Sequence, residues 1–312
     1  MCNMTGRKPG VYWDETWNPL VGCRHVSEGC RNCWAEGFAR RHVKSPNPKI
    51  AADYAGVADS NGWTGKVNLL PHKLAQPLSW RKPRVISVEF QGDLFGEGVP
   101  DEYIAAVFGV MAACPQHTLL VLTKRAKRMA ELFVQLDRDP PVGGRPPQER
   151  IVRTAKAAAR RWLGEYGWRP IPGVVEDVPP WPLPNVWLGV SVEDQAAADE
   201  RVPYLLQTPA AKRFVSVEPM LGPLNIAQWL EPGSGYETLD WVICGGESGP
   251  HGRLCRPDWV RWLRDQCIDA RVSFWFKQWG TATARRYCFA GDGVAAYIGR
   301  DLDGRTWDGV PS

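Results

Sequence analysis

Seven short runs of apolar and β-branched residues, near 10–17, 84–90, 117–123, 186–192, 212–217, 239–245 and 273–277, limit what this chain can fold into. HTLLVLTK, VWLGVSVE and DWVICGG are near-continuously apolar rather than alternating, the pattern of parallel strands covered on both faces. Helical patterns separate several of them. Residues 101–113 open on Asp101 and Glu102 behind Pro100, 194–206 are similar, and 257–270 place Pro257 at a first helical position. This alternation predicts an α/β fold, either a parallel (β/α) barrel, partial or complete, or an open doubly wound sheet.

Where the polar residues fall separates those two. Nearly every run ends in them: Glu89 with Asp93, Thr123-Lys124-Arg125, Ser191 with Glu193, Ser216 with Glu218, Glu247-Ser248 and Lys277-Gln278. In a parallel barrel all C-terminal strand ends open on one mouth, whereas in a flat sheet only those near the switch point converge. Six polar ends favour the barrel. Lys124, Arg125 and Lys277 together would make its mouth cationic, suiting a substrate that carries a carboxylate or phosphate.

A single βα-barrel domain over 1–312 is expected, since a chain of this length can fill one. Two features depart from the repeat. Residues 138–184, Pro- and Gly-rich at both ends, form a basic insertion, with eight Lys or Arg against three Asp or Glu over 138–170. Arg153, Lys156 and Arg160 within it share one helix face, which reads either as a solvated surface or as a phosphate-contacting lid. A short C-terminal extension starts near 281. Sixteen tryptophans are many for this length, and their apolar bodies with one polar N–H suit a cavity rim or a packed shell. No apolar run reaches about 18 residues, so no membrane span is expected. The opening MCNMTGRKPG is not a signal peptide, and a cytoplasmic location with reduced thiols follows.

Three of the nine cysteines cluster. Thr16-Trp17-Asn18-Pro19-Leu20-Val21-Gly22 leads to Cys23, Cys30 and Cys33, a C-x6-C-x2-C loop between the first strand and a helix-compatible run at 34–43. Gly22 and Gly29 each precede a cysteine, where the backbone needs unusual dihedrals or close approach. Three thiolates suit zinc or an iron–sulfur cluster. Structural zinc takes four protein ligands, and the fourth would have to be His25, His42 or a distant cysteine. A [4Fe–4S] cluster on three cysteines leaves one iron without a protein ligand, open to the amino and carboxylate groups of S-adenosylmethionine.

This loop resembles that of the radical S-adenosylmethionine enzymes, whose commonest spacing is C-x3-C-x2-C. The whole chain more closely resembles a phage-associated three-cysteine-motif family of unassigned function. The matching segments are T-W-N-P-x-x-G-C with its cysteines, W-T-G-K-V (63–67), G-D-L-F (92–95), L-T-K-R (122–125), V-W-L-G-V-S-V-E (186–193), V-S-V-E-P-M-L-G-P-L (215–224), C-G-G-E-S-G-P (244–250), F-K-Q-W-G (276–280) and L-D-G-R-T-W-D (302–308). The resemblance implies a radical S-adenosylmethionine barrel with a [4Fe–4S] cluster on Cys23, Cys30 and Cys33, generating a 5′-deoxyadenosyl radical. It implies that Glu89 or Asp93 meets the methionyl ammonium and that Ser191 and Glu193 meet the ribose. Glu218 and Glu247 would hold ribose hydroxyls or substrate, with Lys124, Arg125 and Lys277 on a small-molecule or nucleotide substrate or a nucleic-acid base. A flavodoxin- or ferredoxin-type partner would supply electrons. The alternative is a zinc-stabilised nucleic-acid-binding protein without catalysis, which would use the basic helix and interleaved tryptophans.

Overall fold

The structure, a computed structural model, describes residues 9–138, 157, 161–162, 164, 180–231, 237–288 and 299–311. Seven strands form one parallel sheet: β1 (Glu15–Trp17), β2 (Val85–Val88), β3 (Thr118–Thr123), β4 (Val186–Ser191), β5 (Lys212–Val217), β6 (Trp241–Gly245) and β7 (Ser273–Gln278). They lie in chain order, each bonded to the next, and curl into a half-barrel in which β1 and β7 are not paired. The barrel is therefore partial. The β6–β7 register slips after Cys244, so that Gly245 pairs with Gln278 at the C-terminal end.

Helices flank the sheet: α1 (Trp34–Val43), α2 (Asp101–Ala112), α3 (Ala126–Arg138), α4 (Gln195–Gln207), α5 (Pro257–Asp269) and α6 (Thr281–Cys288). Asp194 caps α4 by accepting from the Ala197 amide at 2.9 Å, and Pro257 opens α5 as its spacing predicts. The helices cover the outer face, where Val88, Leu119, Val121, Leu188 and Val190 meet Tyr103, Val107, Met111 and Leu205. Alternate residues turn inward. There Val85, Leu120, Phe214, Trp241, Ile243 and Trp275 pack with Tyr12 and Trp187 into a second core. Both faces are buried, which is why the runs read as continuously apolar.

Strand β1 is shorter than the expected 10–17, and the cause is this inner core. Tyr12 lies 5.2 Å from Trp241 and 5.8 Å from Trp275, ring centre to ring centre, so its segment crosses the half-barrel instead of extending the ladder. The long β1–β2 connection builds a small core of its own from Val21, Ala39, Tyr54, Val57 and Leu70. Past α6, the Phe276 amide donates to Trp307 O and the Gly309 amide to Phe274 O, so residues 307–309 cover the free edge of β7. Arg153, Lys156 and Arg160 lie outside the described residues. Among those described, no helix is long and apolar enough to cross a membrane.

Candidate functional site

All seven C-terminal strand ends contribute to one cavity of about 580 Å³, and Cys23, Cys30 and Cys33 line it with Glu89, Asp93, Lys124, Arg125, Ser191, Glu218, Glu247 and Lys277. The cysteine loop reaches it by riding on the loop after β2. Asn18 Oδ1 accepts from the Phe90 amide at 2.8 Å, and the Gly22 amide donates to Gln91 O at 3.0 Å. Gly22 has φ +106°, and a Cβ there would run into the Lys66 carbonyl, so the turn into Cys23 requires glycine. Gly29 serves by close approach: a Cβ would lie 2.9 Å from both the Glu193 carboxylate and Lys124 Nζ.

Three strand ends clamp the loop. Arg125, buried beside β3, places Nη1 3.0 Å from Asp93 Oδ2 and 3.6 Å from Cys23 Sγ, while its Nη2 donates to Arg24 O at 2.8 Å. Lys124 Nζ donates to Ser191 Oγ at 3.0 Å and to Glu193 Oε2 at 2.8 Å, and Arg201 holds Glu193 from α4 at 3.1 Å. Burial works against the Glu193 charge, but these cations win and bring the carboxyl down to about 2. Glu247 accepts from Asn32 Nδ2, inside the C-x2-C step, at 2.9 Å and from Arg253 Nη2 at 2.7 Å. Its carboxyl is lowered although burial opposes this, because Arg253 and Asn32 bond the charged form. Glu218 takes Lys277 Nζ on both oxygens, at 2.7 and 2.8 Å.

The three cations expected to make the mouth positive thus each face a carboxylate, and the mouth is a set of ion pairs. Asp93 is fully engaged, accepting from Thr123 Oγ1, the Phe95 and Lys124 amides and Arg125. Glu89 differs. It is 4% exposed and has φ +65°; its Oε2 accepts from the Leu20 amide at 3.1 Å, and its Oε1 has no partner. Burial raises its carboxyl well above the usual range.

The thiols can be tested against the groups their spacing suggests. Burial pushes the Cys23 thiol up to about 12 and raises Cys33, although the first-turn amides of Ala35 and Glu36 in α1 pull Cys33 back. Among the described residues, no three or more His, Cys, Asp or Glu side chains are placed to hold a metal ion together. His25 Nε2 lies 2.7 Å from Glu36, and His42 stacks on Phe38 with Nδ1 2.9 Å from Phe38 O, so neither joins the thiols. A tetrahedral zinc needs four donors at one point, whereas a cubane takes each thiolate on a different iron. Three thiols on one loop beside a buried guanidinium match the donor set of a cubane, and among the described residues no fourth donor for a zinc ion stands with them.

Sequence reasoning did not find Asn32, Arg201, Arg253 or Arg24. Asn32 was signalled only by its place between two cysteines, and the arginines lie off the strand ends. A family model described as "Protein of unknown function (DUF5131)" matches residues 10–311. No curated protein and no solved structure matches the chain.

Proposed function

We propose that this chain, which belongs to the DUF5131 family, is a radical S-adenosylmethionine enzyme with a [4Fe–4S] cluster on Cys23, Cys30 and Cys33. When bound, that cluster supplies one-electron reduction of S-adenosylmethionine, the chemistry that gives a 5′-deoxyadenosyl radical. The observation that carries the reading is a three-thiol loop clamped on the C-terminal mouth with no fourth protein donor beside it among the described residues. The resemblance of this loop to that of the radical S-adenosylmethionine enzymes points the same way, as does its place after β1.

The chain's own residues have distinct work in this reading. Arg125 offsets negative charge at Cys23 while anchoring the loop through Arg24 O. Glu89 lines the cavity and has one buried carboxyl oxygen without a partner, the group this reading gives to the methionyl ammonium. Asp93 is the less suitable of the two expected groups, because its oxygens already accept four bonds. Ser191 lines the cavity and remains the candidate for the ribose, whereas Glu193, 1% exposed, is held away from it by Lys124 and Arg201. Glu247 orients the loop through Asn32, and the Glu218–Lys277 pair faces the rest of the cavity. The inner aromatic core closes the floor against water. Cluster chemistry calls for a reducing, cytoplasmic setting and a flavodoxin- or ferredoxin-type donor.

Iron, acid-labile sulfide and zinc measured on protein purified without oxygen test this directly. About four iron and four sulfide per chain, lost in Cys30→Ala, is the expected result, with 5′-deoxyadenosine formed on reduction. One zinc and no sulfide would refute it in favour of a zinc-stabilised nucleic-acid-binding protein.

A further inference from the structure

One wall of the cavity is a run of aromatic rings that the cluster reading leaves unused. Trp34, the first residue of α1, is 59% exposed. Its ring lies 6.2 Å from Phe90, Phe90 lies 4.8 Å from Trp13, and Trp13 lies 4.7 Å from the buried Tyr12. All four line the cavity, so the rings run from solvent to the floor. An indole face left in water adds nothing to the packed core. Exposed aromatic faces leading into a cavity are what planar rings stack on.

A second, independent feature stands at the same rim. Five basic side chains line the cavity, and four have carboxylate partners: His25 with Glu36, Lys124 with Glu193, Arg125 with Asp93 and Lys277 with Glu218. The fifth, Arg24, is exposed and has no carboxylate partner among the described residues. Its carbonyl is fixed by Arg125, so its backbone is held while its guanidinium stays free for a ligand anion. Around it, residues 23–44 carry five Lys or Arg against two Glu, more positive than a chain of net charge +4 provides on average.

From a shelf of exposed rings and one uncommitted guanidinium lining a single cavity, we infer that it takes a nucleotide, its base stacked on Trp34 with Phe90, 77° away in plane, packing against the base edge, and its phosphate at Arg24. This rests on the cluster reading, since the base would be the substrate presented to that chemistry. The same unit could arrive as a free mononucleotide or within a single strand.

The test uses full-length, anaerobically prepared protein with saturating S-adenosylmethionine. Binding of mixed nucleoside monophosphates is followed by equilibrium dialysis, and that of a labelled mixed-sequence single strand by fluorescence anisotropy. One of the two should bind, about tenfold more weakly in Trp34→Ala. Arg24→Gln should weaken it further and, for the strand, reduce the salt slope by about 1. Trp262→Ala, an exposed tryptophan on α5 that does not line the cavity, should match the parent chain. Absence of binding to either ligand overturns the inference, as does binding indifferent to Trp34→Ala. So does binding seen only when S-adenosylmethionine is left out, which would make the shelf the seat of that ligand's own adenine. Metal content on the same samples separates the two readings. Iron and sulfide without nucleotide binding removes only the substrate assignment, and nucleotide binding with zinc alone removes the radical one.

Discussion

Glu89 combines two unfavourable features, a left-handed backbone and a buried carboxyl oxygen without a partner. A non-glycine residue at φ > 0 costs on the order of 1–3 kcal/mol, and such outliers gather at functional sites. Because burial raises its folded-state pKa above the unfolded value, the native state holds the proton over the window between them. The associated stability is fully present below the ordinary carboxylate value and is lost as pH rises through the raised one. Glu89→Gln keeps an acceptor for the Leu20 amide and removes the titration. Its unfolding midpoint should decline less than the parent's as pH rises above the ordinary carboxylate range, followed by calorimetry. An unchanged decline would assign it to another group. Glu193 has the opposite sign. Its carboxyl is held near 2, so its contribution is present above the ordinary value and lost as pH falls toward about 2. Glu193→Gln leaves Lys124 and Arg201 without their charge partner and should cost on the order of 3 kcal/mol by denaturant unfolding at neutral pH. The presence of these polar groups at strand ends was legible in the chain. Their pairing was not, because Lys124 and Glu193 are 69 residues apart and nothing local says which cation meets which acid.

The cysteine loop has little regular structure beyond one 3-10 turn at Glu28–Cys30, and its place comes from neighbours. Its spacing and the need for Gly22 could be read directly. The clamp from Asn32 to Glu247 spans 215 residues and has no sequence pattern. Glu247→Ala would leave Asn32 Nδ2 and three Arg253 N–H groups without this acceptor. Amide hydrogen exchange should quicken over residues 23–33 while the β3–β5 amides keep their protection, and iron content should fall. Equal protection throughout would mean that Arg125 alone holds the loop. Strand β1 shows the converse limit. Its apolar run continues back to residue 10, but Tyr12 and Trp13 are spent on packing across the half-barrel.

For the molecule as a whole, parallel order and two-sided burial were legible, since strands that alternate inward and outward between two cores must be apolar throughout. Whether the sheet closes was not, because closure depends on curvature and on what seals the free edges. Here residues 307–309 pair along β7, and Trp241 Nε1 donates to Gly309 O at 2.7 Å. Ending the chain at residue 300 should therefore expose both a strand edge and the inner core. A lower calorimetric unfolding midpoint is expected, with light scattering that grows with concentration. A truncated chain that scatters and melts like the parent would show that the edge needs no cover.

The division between sealed floor and open shelf also has an optical side. Trp187, Trp241 and Trp275 pack edge to face in the floor, while Trp13, Trp34 and Trp63 line the cavity. Indole emission shifts to the blue in dry surroundings and to the red in wet ones. Of these six natural lamps, only the outer three stand where a chromophore or quencher arriving in the cavity can dim them. Occupation of the mouth can be read in real time, without a label, against the steady glow of the floor.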